Sequence, residues 1–283
     1  MQIDLHAHST ASDGTQPPAD VVASARAAGL DVVALTDHDT TSGWDEAAAA
    51  AEREGVALVR GIEISCERDA ASIHLLGYLT DPEHPGLSAE LARAREARVS
   101  RLERMVELMA ADGIPISYAE VLASVPPGAT EGRPHIADAL VRKGVVADRD
   151  AAFAEWLSND SPYYVRHYAP DPARAVELVV EAGGVAVHAH PFTRARGRMA
   201  SDELIEELAA AGLAGVEVDH RDHDEDARSR GRALASTLGL LVTGSSDYHG
   251  AGKRNLLGEN TTAPGVLEQI EARASGITPV LRP

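Results

Sequence analysis

Short histidine- and acid-bearing motifs punctuate this chain, each placed where a β-strand pattern gives out. In order they are Ile3-Asp-Leu-His6-Ala-His8-Ser-Thr-Ala-Ser-Asp13-Gly14, Thr36-Asp37-His38-Asp39, Gly61-Ile-Glu63-Ile-Ser65, His74-Leu-Leu-Gly77, Val187-His188-Ala-His190-Pro191 and Gly244-Ser-Ser-Asp247-Tyr-His249-Gly250. One histidine at a strand end is commonplace. A succession of them constrains the chain to a fold that gathers many strand ends at one place.

The segments between the motifs alternate accordingly. Strand patterns at 2–6, 31–35, 56–59 and 73–79 are separated by a helix that starts at Pro17-Pro18 and by an alanine-rich helix over 43–54 that stops at Gly55. From about Pro85 the alternation breaks into helical patterns: a long one through Leu91, Leu102 and Met109 to Gly113, then 117–124, 134–143 and 153–157. The Pro126-Pro127-Gly128 turn there predicts an exposed loop. Helices at 171–182, 202–211, 224–237 and 264–274 then alternate with strands at 185–187, 215–218, 240–243 and near 277–281. Repeated β-then-α units predict a parallel sheet, and polar residues at strand C-termini favour a closed barrel with its site on that face.

Residues two apart on a strand share a face, so His6 and His8 project together and can grip one ion. Asp13 serves either as a ligand or as a helix cap. Glu63 follows a buried strand, where a carboxylate is costly to desolvate unless it meets a cation, and its two oxygens can bridge two ions. Asp247 and His249 repeat the two-apart logic, and Pro191 sets the strand exit after His190. Imidazoles and carboxylates without a thiolate suit Mn, Fe or Zn. Several such dications held by Asp13, Glu63 and Asp247 leave a positive site suited to phosphate, and they would activate water for hydrolysis.

Composition narrows the partners. A net charge of −18 over 283 residues disfavours long duplex nucleic acid, while a small anionic substrate remains compatible because bound metals set the local field. Cys66 is the only cysteine, no apolar run approaches a membrane span, and the first residues already read as strand. A cytoplasmic protein with no intrachain disulfide and no membrane partner is expected.

In this order the motifs resemble the PHP (polymerase and histidinol phosphatase) superfamily of metal-dependent phosphoesterases. The resemblance implies an α/β fold, a distorted (β/α)7 TIM-like barrel over 1–90 and 166–283, with a helical insertion over 91–165 capping the active site. It implies three divalent ions: one on His6, His8, Glu63 and Asp247, a second on Glu63, His74 and His190, a third on Asp13, His38 and His249. Gly132-Arg133-Pro134-His135-Ile136-Ala137 in the insertion resembles stand-alone bacterial members. Those members include nucleotide bisphosphate phosphatases, nucleoside monophosphate phosphatases and a 5′→3′ exoribonuclease. His188 stands where an aliphatic residue is more usual.

The expected activity is hydrolysis of phosphate monoesters of small nucleotides by a metal-bound hydroxide, with His6, Glu63 and Asp247 at the catalytic ions. The alternatives are a 5′→3′ exonuclease on short 5′-phosphorylated RNA and a non-catalytic metal-binding module. Arg133 and His135, at a helix start, read as a clamp for a substrate phosphate or as ordinary helix-start contacts. After strand 215–218, His223 is the candidate proton donor, and His223 or Arg221 a contact to substrate; His220 lies in the same loop. Lys253 and Arg254 either receive phosphate or are solvated, and Arg194, Arg196 and Arg198 form either a gate or a polar loop. Asp37 and Asp39 are placed to orient His38. Cys66 reads as a packing residue, and His84 and His167 carry no motif.

Overall fold

Valine- and leucine-rich segments form the strands and alanine-rich segments the first helices between them. The computed structural model describes residues 1–69, 71–193 and 200–283. The order is β1 (Ile3–Asp4), α1 (Pro18–Ala27), β2 (Val32–Leu35), α2 (Trp44–Glu54), β3 (Ala57–Arg68), β4 (Ala71–Tyr78), α3 (Pro85–Ala111), α4 (Tyr118–Leu122), α5 (Arg133–Arg142) and α6 (Arg149–Ala152). It continues through a π turn at Phe153–Leu157 to α7 (Pro172–Glu181), β5 (Val185–His188), α8 (Asp202–Ala210), β6 (Gly215–Asp219), α9 (Glu225–Leu238), β7 (Leu241–Gly244) and α10 (Pro264–Arg273).

The seven strands lie in one sheet in chain order. An Ala7–Tyr248 bridge, with the His8 amide donating to the Tyr248 carbonyl at 2.8 Å, brings its first and last members together into a nearly closed barrel. The expected α/β barrel is therefore observed, with three corrections. The sheet is not wholly parallel, because β4 runs antiparallel to both β3 and β5. Glu63 does not lie beyond its strand: β3 extends through it to Arg68, with Glu63, Ser65 and Glu67 on one face and Ile62, Ile64 and Cys66 on the other. Near 277–281 there is no strand among the described residues, only an isolated antiparallel bridge from Leu281 to Leu58.

Alternation along each strand divides the core. Ile3, Leu5, Val32, Val59, Leu76, Tyr78, Val185 and Val187 form an inner cluster, which Leu267 and Ile270 of α10 join. Val33, Leu35, Leu58, Ile62, Ile64 and Leu75 meet the surrounding helices in an outer cluster. The helices between β4 and β5 have a core of their own in Leu102, Met105, Met109, Val121, Ile136, Leu140 and Leu157. Helix α3 serves both sides, since Leu87 and Leu91 pack in the outer barrel cluster. A boundary at 90/91 thus falls inside one continuous helix. Its N-cap is His84, whose ring accepts from the Leu87 amide at 3.2 Å, an ordinary capping role. Among the described residues no helix is long and apolar enough to cross a membrane.

Candidate metal centre

Strand exits bring the motif side chains together at one end of the barrel. Asp39, His190 and Asp247 take positive φ angles of 53°, 33° and 54°. Such left-handed conformations cost of order 1–3 kcal/mol each in a non-glycine residue, so the surrounding contacts must hold them. In the first motif Gly14 permits the loop to fold back on His8, because a Cβ there would lie 2.5 Å from the His8 carbonyl oxygen.

Glu63 is the hub. It is 0% exposed, and its Oε2 has His8 Nε2 at 3.0 Å, His6 Nε2 at 3.2 Å and His38 Nδ1 at 3.3 Å, satisfying hydrogen-bond geometry with none of them. Its Oε1 lies 2.7 Å from His74 Nδ1 and 3.0 Å from His190 Nε2. Asp247 Oδ1 is 3.5 Å from His6 Nε2 and 3.4 Å from His8 Nε2, so His6, His8, Glu63 and Asp247 converge. A second convergence joins Asp13 to His249 Nε2 at 3.3 Å and to His38 Nε2 at 3.8 Å. All the residues expected as ligands are thus brought together.

Their protonation suits cations. Burial alone would raise the Glu63 carboxyl, but His38, His74 and His6 hold it well below the usual range, and His249 and His38 do the same for Asp13. Burial opposes charge on His8, yet Asp247 and Glu63 lift it to about 9, so the positive charge those carboxylates draw to this point is one that a bound cation would supply in exchange for the proton. Buried carboxylates this crowded by imidazole nitrogens require positive charge, and divalent cations fit that donor set.

The orientation of the rings is itself controlled. His249 Nδ1 donates to the Asp247 carbonyl at 2.8 Å, leaving Nε2 to face Asp13. His6 Nδ1 meets Glu217 Oε1 at 3.1 Å, leaving Nε2 to face Glu63. Glu217 is fully buried in β6, and it also accepts from Ser245 Oγ and from the His190 amide at 2.9 Å. Sequence reading missed it, although a lone carboxylate between Val216 and Val218 carries the same signal as Glu63. Asp4 was missed as well: it accepts from the Ser246 amide at 3.0 Å and the Gly258 amide at 2.9 Å, tying β1 to the last motif. Glu217→Gln should weaken metal binding and kcat/KM by about 10- to 100-fold. Whichever way the amide turns, its NH2 faces either a His6 nitrogen that must carry the proton or the His190 N–H. Metal affinity and kcat/KM both within threefold of the parent would refute this role.

Several expected contacts are relocated. His223 is not placed to donate a proton: its Nδ1–H donates to the Val218 carbonyl at 2.9 Å and its Nε2 accepts from the Phe192 amide at 3.2 Å. Its neighbour His220 points to the centre instead, with a fully buried Nε2 3.6 Å from Asp247 Oδ2 and no hydrogen-bond partner. Arg221 pairs with Glu259, through Nε at 2.8 Å. Arg133 and His135 do not form a joint clamp. Arg133 donates to the Leu157 carbonyl at 2.6 Å and Asn159 Oδ1 at 2.8 Å, whereas His135 Nδ1 accepts from the Gly132 amide at 3.0 Å.

Asp37 and Asp39 brace loops rather than the His38 ring. Asp37 accepts from Ser9 and Ser12, and Asp39 from the Ser65 amide and Arg98. Lys253 Nζ reaches Asp247 Oδ2 at 2.7 Å, while Arg254 is exposed beside Asp150. Cys66 is buried as expected of a packing residue. Arg194, Arg196 and Arg198 lie outside the described residues.

His188 lines a small cavity with Ser72, His74, His190 and Thr193. Burial, with His74 adding to it, presses its pKa from 6.5 down to about 3. The unfolded chain accepts a proton that the folded one refuses, so this stability is present above pH 6.5 and is lost as pH falls toward 3. Urea unfolding of the metal-free His188→Val variant should lose about 2 kcal/mol less than the parent between pH 7 and 5. Parallel pH profiles for the two proteins would exclude the effect.

Comparison with known proteins agrees with this geometry. The PHP domain matches residues 4–141. The chain is 37% identical over 251 residues to a 3′,5′-nucleoside bisphosphate phosphatase of Chromobacterium violaceum, covering 89% of this chain and 88% of that protein. It is 34% identical over 246 residues to a 5′-3′ exoribonuclease of Haemophilus influenzae, covering 87% and 89%. A crystal structure from Bifidobacterium adolescentis, described as a metal-dependent phosphoesterase, superposes with a TM-score of 0.94 at 43% identity over 97% of each chain.

Proposed function

The chain belongs to the PHP family and is a phosphoric ester hydrolase; from that premise we propose that it removes phosphate from small nucleotides, 3′,5′-bisphosphates such as pAp foremost and nucleoside monophosphates second. The observation that carries the reading is the convergence of imidazoles on both oxygens of buried Glu63. The likeness to a bisphosphate phosphatase over most of both chains supports the choice of substrate. The helices over 91–165 are proposed to cap the barrel mouth.

Three divalent ions, Mn, Fe or Zn, are assigned to His6, His8, Glu63 and Asp247, to Glu63, His74 and His190, and to Asp13, His38 and His249. When bound they supply an activated water and neutralise charge on the phosphoryl oxygens. The chain's own residues do the rest. Glu217 and the Asp247 carbonyl hold His6 and His249 in the tautomer that presents Nε2 to the centre. His220 accepts the Asp222 amide on Nδ1 at 3.1 Å, so its proton sits on the inward-facing Nε2. To it we assign protonation of the departing alkoxide, the role first given to His223.

A 5′→3′ exonuclease acting on short 5′-phosphorylated RNA is the second reading, favoured by the exoribonuclease relative. The charge of −18 weighs against long strands. Protein stripped with chelator and reloaded with Mn, Fe or Zn should release phosphate from pAp faster than from AMP, and should leave a 5′-phosphorylated oligomer largely intact. Release from none of the three would end the phosphatase reading; preferential shortening of the oligomer would select the nuclease.

A further inference from the structure

Beside the metal centre lies a cluster of buried cations that the assigned chemistry does not use. Arg98 and Arg101, one turn apart on α3, are 8% and 6% exposed. Arg98 is accounted for: it donates to Asp39 Oδ2 at 2.9 Å and to Ser65 Oγ at 2.6 Å, and Ser65 Oγ lies 3.4 Å from His38 Nδ1. Arg101 is not. Among the described residues it makes no hydrogen bond or ion pair, and its Nε is buried without a partner. Its guanidinium sits 5.0 Å from the Tyr164 ring centre, and that of Arg133 lies 5.4 Å from the same ring. The imidazole of His167 completes the cluster, with a buried Nδ1 that also lacks a partner.

Buried arginines are nearly always paired, because desolvating an uncompensated charge is costly. The groups here bear on one another without relief. Burial, Arg133 and Arg98 lower the Arg101 pKa to about 9, and burial with Arg101, Arg98 and Arg133 presses His167 to about 3. The acid that acts on Arg101 is Glu67, which faces Arg166 at 4.0 Å. Such a cluster awaits an anion. Its place is set by α3, about 5 Å along the helix from the arginine that braces the metal centre.

We propose that Arg101, with Arg133, Tyr164 and His167 around it, is an anion subsite that holds a phosphate monoester group of the substrate other than the one being hydrolysed. The proposal rests on the phosphatase reading and deepens it. One phosphate lies at the metal centre while the other, across the sugar, receives charge-assisted hydrogen bonds from Arg101. The subsite gives to Arg101 of α3 the role first assigned to Arg133 with His135, and it gives His167 a function.

Two measurements test it. Titrating inorganic phosphate into metal-free protein by calorimetry should show binding to the parent and at least about tenfold weaker binding to Arg101→Met. On metal-loaded protein, Arg101→Met should lower kcat/KM for a nucleoside 3′,5′-bisphosphate by about 10- to 100-fold, chiefly through KM. Turnover of p-nitrophenyl phosphate, which has no second phosphate, should stay within about twofold. Arg101→Gln serves where the methionine variant fails to fold. Absence of phosphate binding in the parent, equal binding in parent and variant, or equal losses on the two substrates would overturn the subsite. So would lost phosphate binding with unchanged selectivity, which marks an adventitious ion only. Should the parent hydrolyse no nucleotide, the phosphatase reading fails on its own, and the calorimetry still decides whether the anion site exists.

Discussion

Glu63→Gln should lower turnover about a thousandfold or more while leaving the barrel folded. The amide is nearly the same size as the carboxylate, so packing in β3 changes little. The charge that draws His6, His8, His38, His74 and His190 around one residue is lost. One of its two acceptor oxygens also becomes an NH2 group facing imidazole nitrogens. Bound cations contribute several kcal/mol of transition-state stabilisation, which is about three powers of ten in rate. Steady-state kinetics, metal analysis and circular dichroism on the same preparation check this. Activity within tenfold of the parent at full metal content would remove Glu63 from the hub. Lost helical signal would show a structural role instead.

His220→Gln should lower kcat for a nucleotide about 100- to 10,000-fold, the usual contribution of a positioned general acid. A ribose alkoxide leaves poorly without a proton, whereas p-nitrophenolate leaves readily, so p-nitrophenyl phosphate should be spared. The loss falls in kcat and not in KM, which separates it from the expected effect at Arg101. His223→Ala is the control. It should leave the Phe192 amide without its acceptor and cost about 1–3 kcal/mol of stability, with kcat per folded molecule unchanged. Equal losses on both substrates in His220→Gln would reassign His220 to holding Asp247, from which its Nε2 stands 3.6 Å.

The reasons for these choices differ in how far they could be read from residues alone. Two-residue spacing correctly brought His6 and His8 to one convergence, because strand alternation is a local property. It did not do so for Asp247 and His249: Asp247 joins His6 and His8 while His249 faces Asp13, because Asp247 lies beyond β7 in a left-handed conformation. The same rule applied to Gly-Val-Glu-Val-Asp would have found Glu217. It could not separate His220 from His223, since both lie in the loop after β6. What separates them is that the Phe192 amide and the Val218 carbonyl take both nitrogens of one ring. Arg133 and His135 were likewise paired by spacing at a helix start and parted by their hydrogen-bond partners, the Leu157 carbonyl for one and the Gly132 amide for the other. Arg101 offered no signal, because an arginine on a long helix is ordinarily solvated.

Sequence by itself determined the alternation of strands and helices, the barrel class and the residues that meet at its mouth. The alternation follows from the period of the backbone and Glu63 from the cost of burying a carboxylate without a cation, while the full ligand set, His38 and His74 included, followed from the resemblance of the motifs to the PHP superfamily. Tertiary structure alone decided the reversal of β4, the full length of β3, which imidazole keeps an inward-facing proton and which guanidinium is left without a partner. Those outcomes depend on which distant backbone groups and carboxylates claim each donor and acceptor, and such claims are settled only when the chain closes on itself.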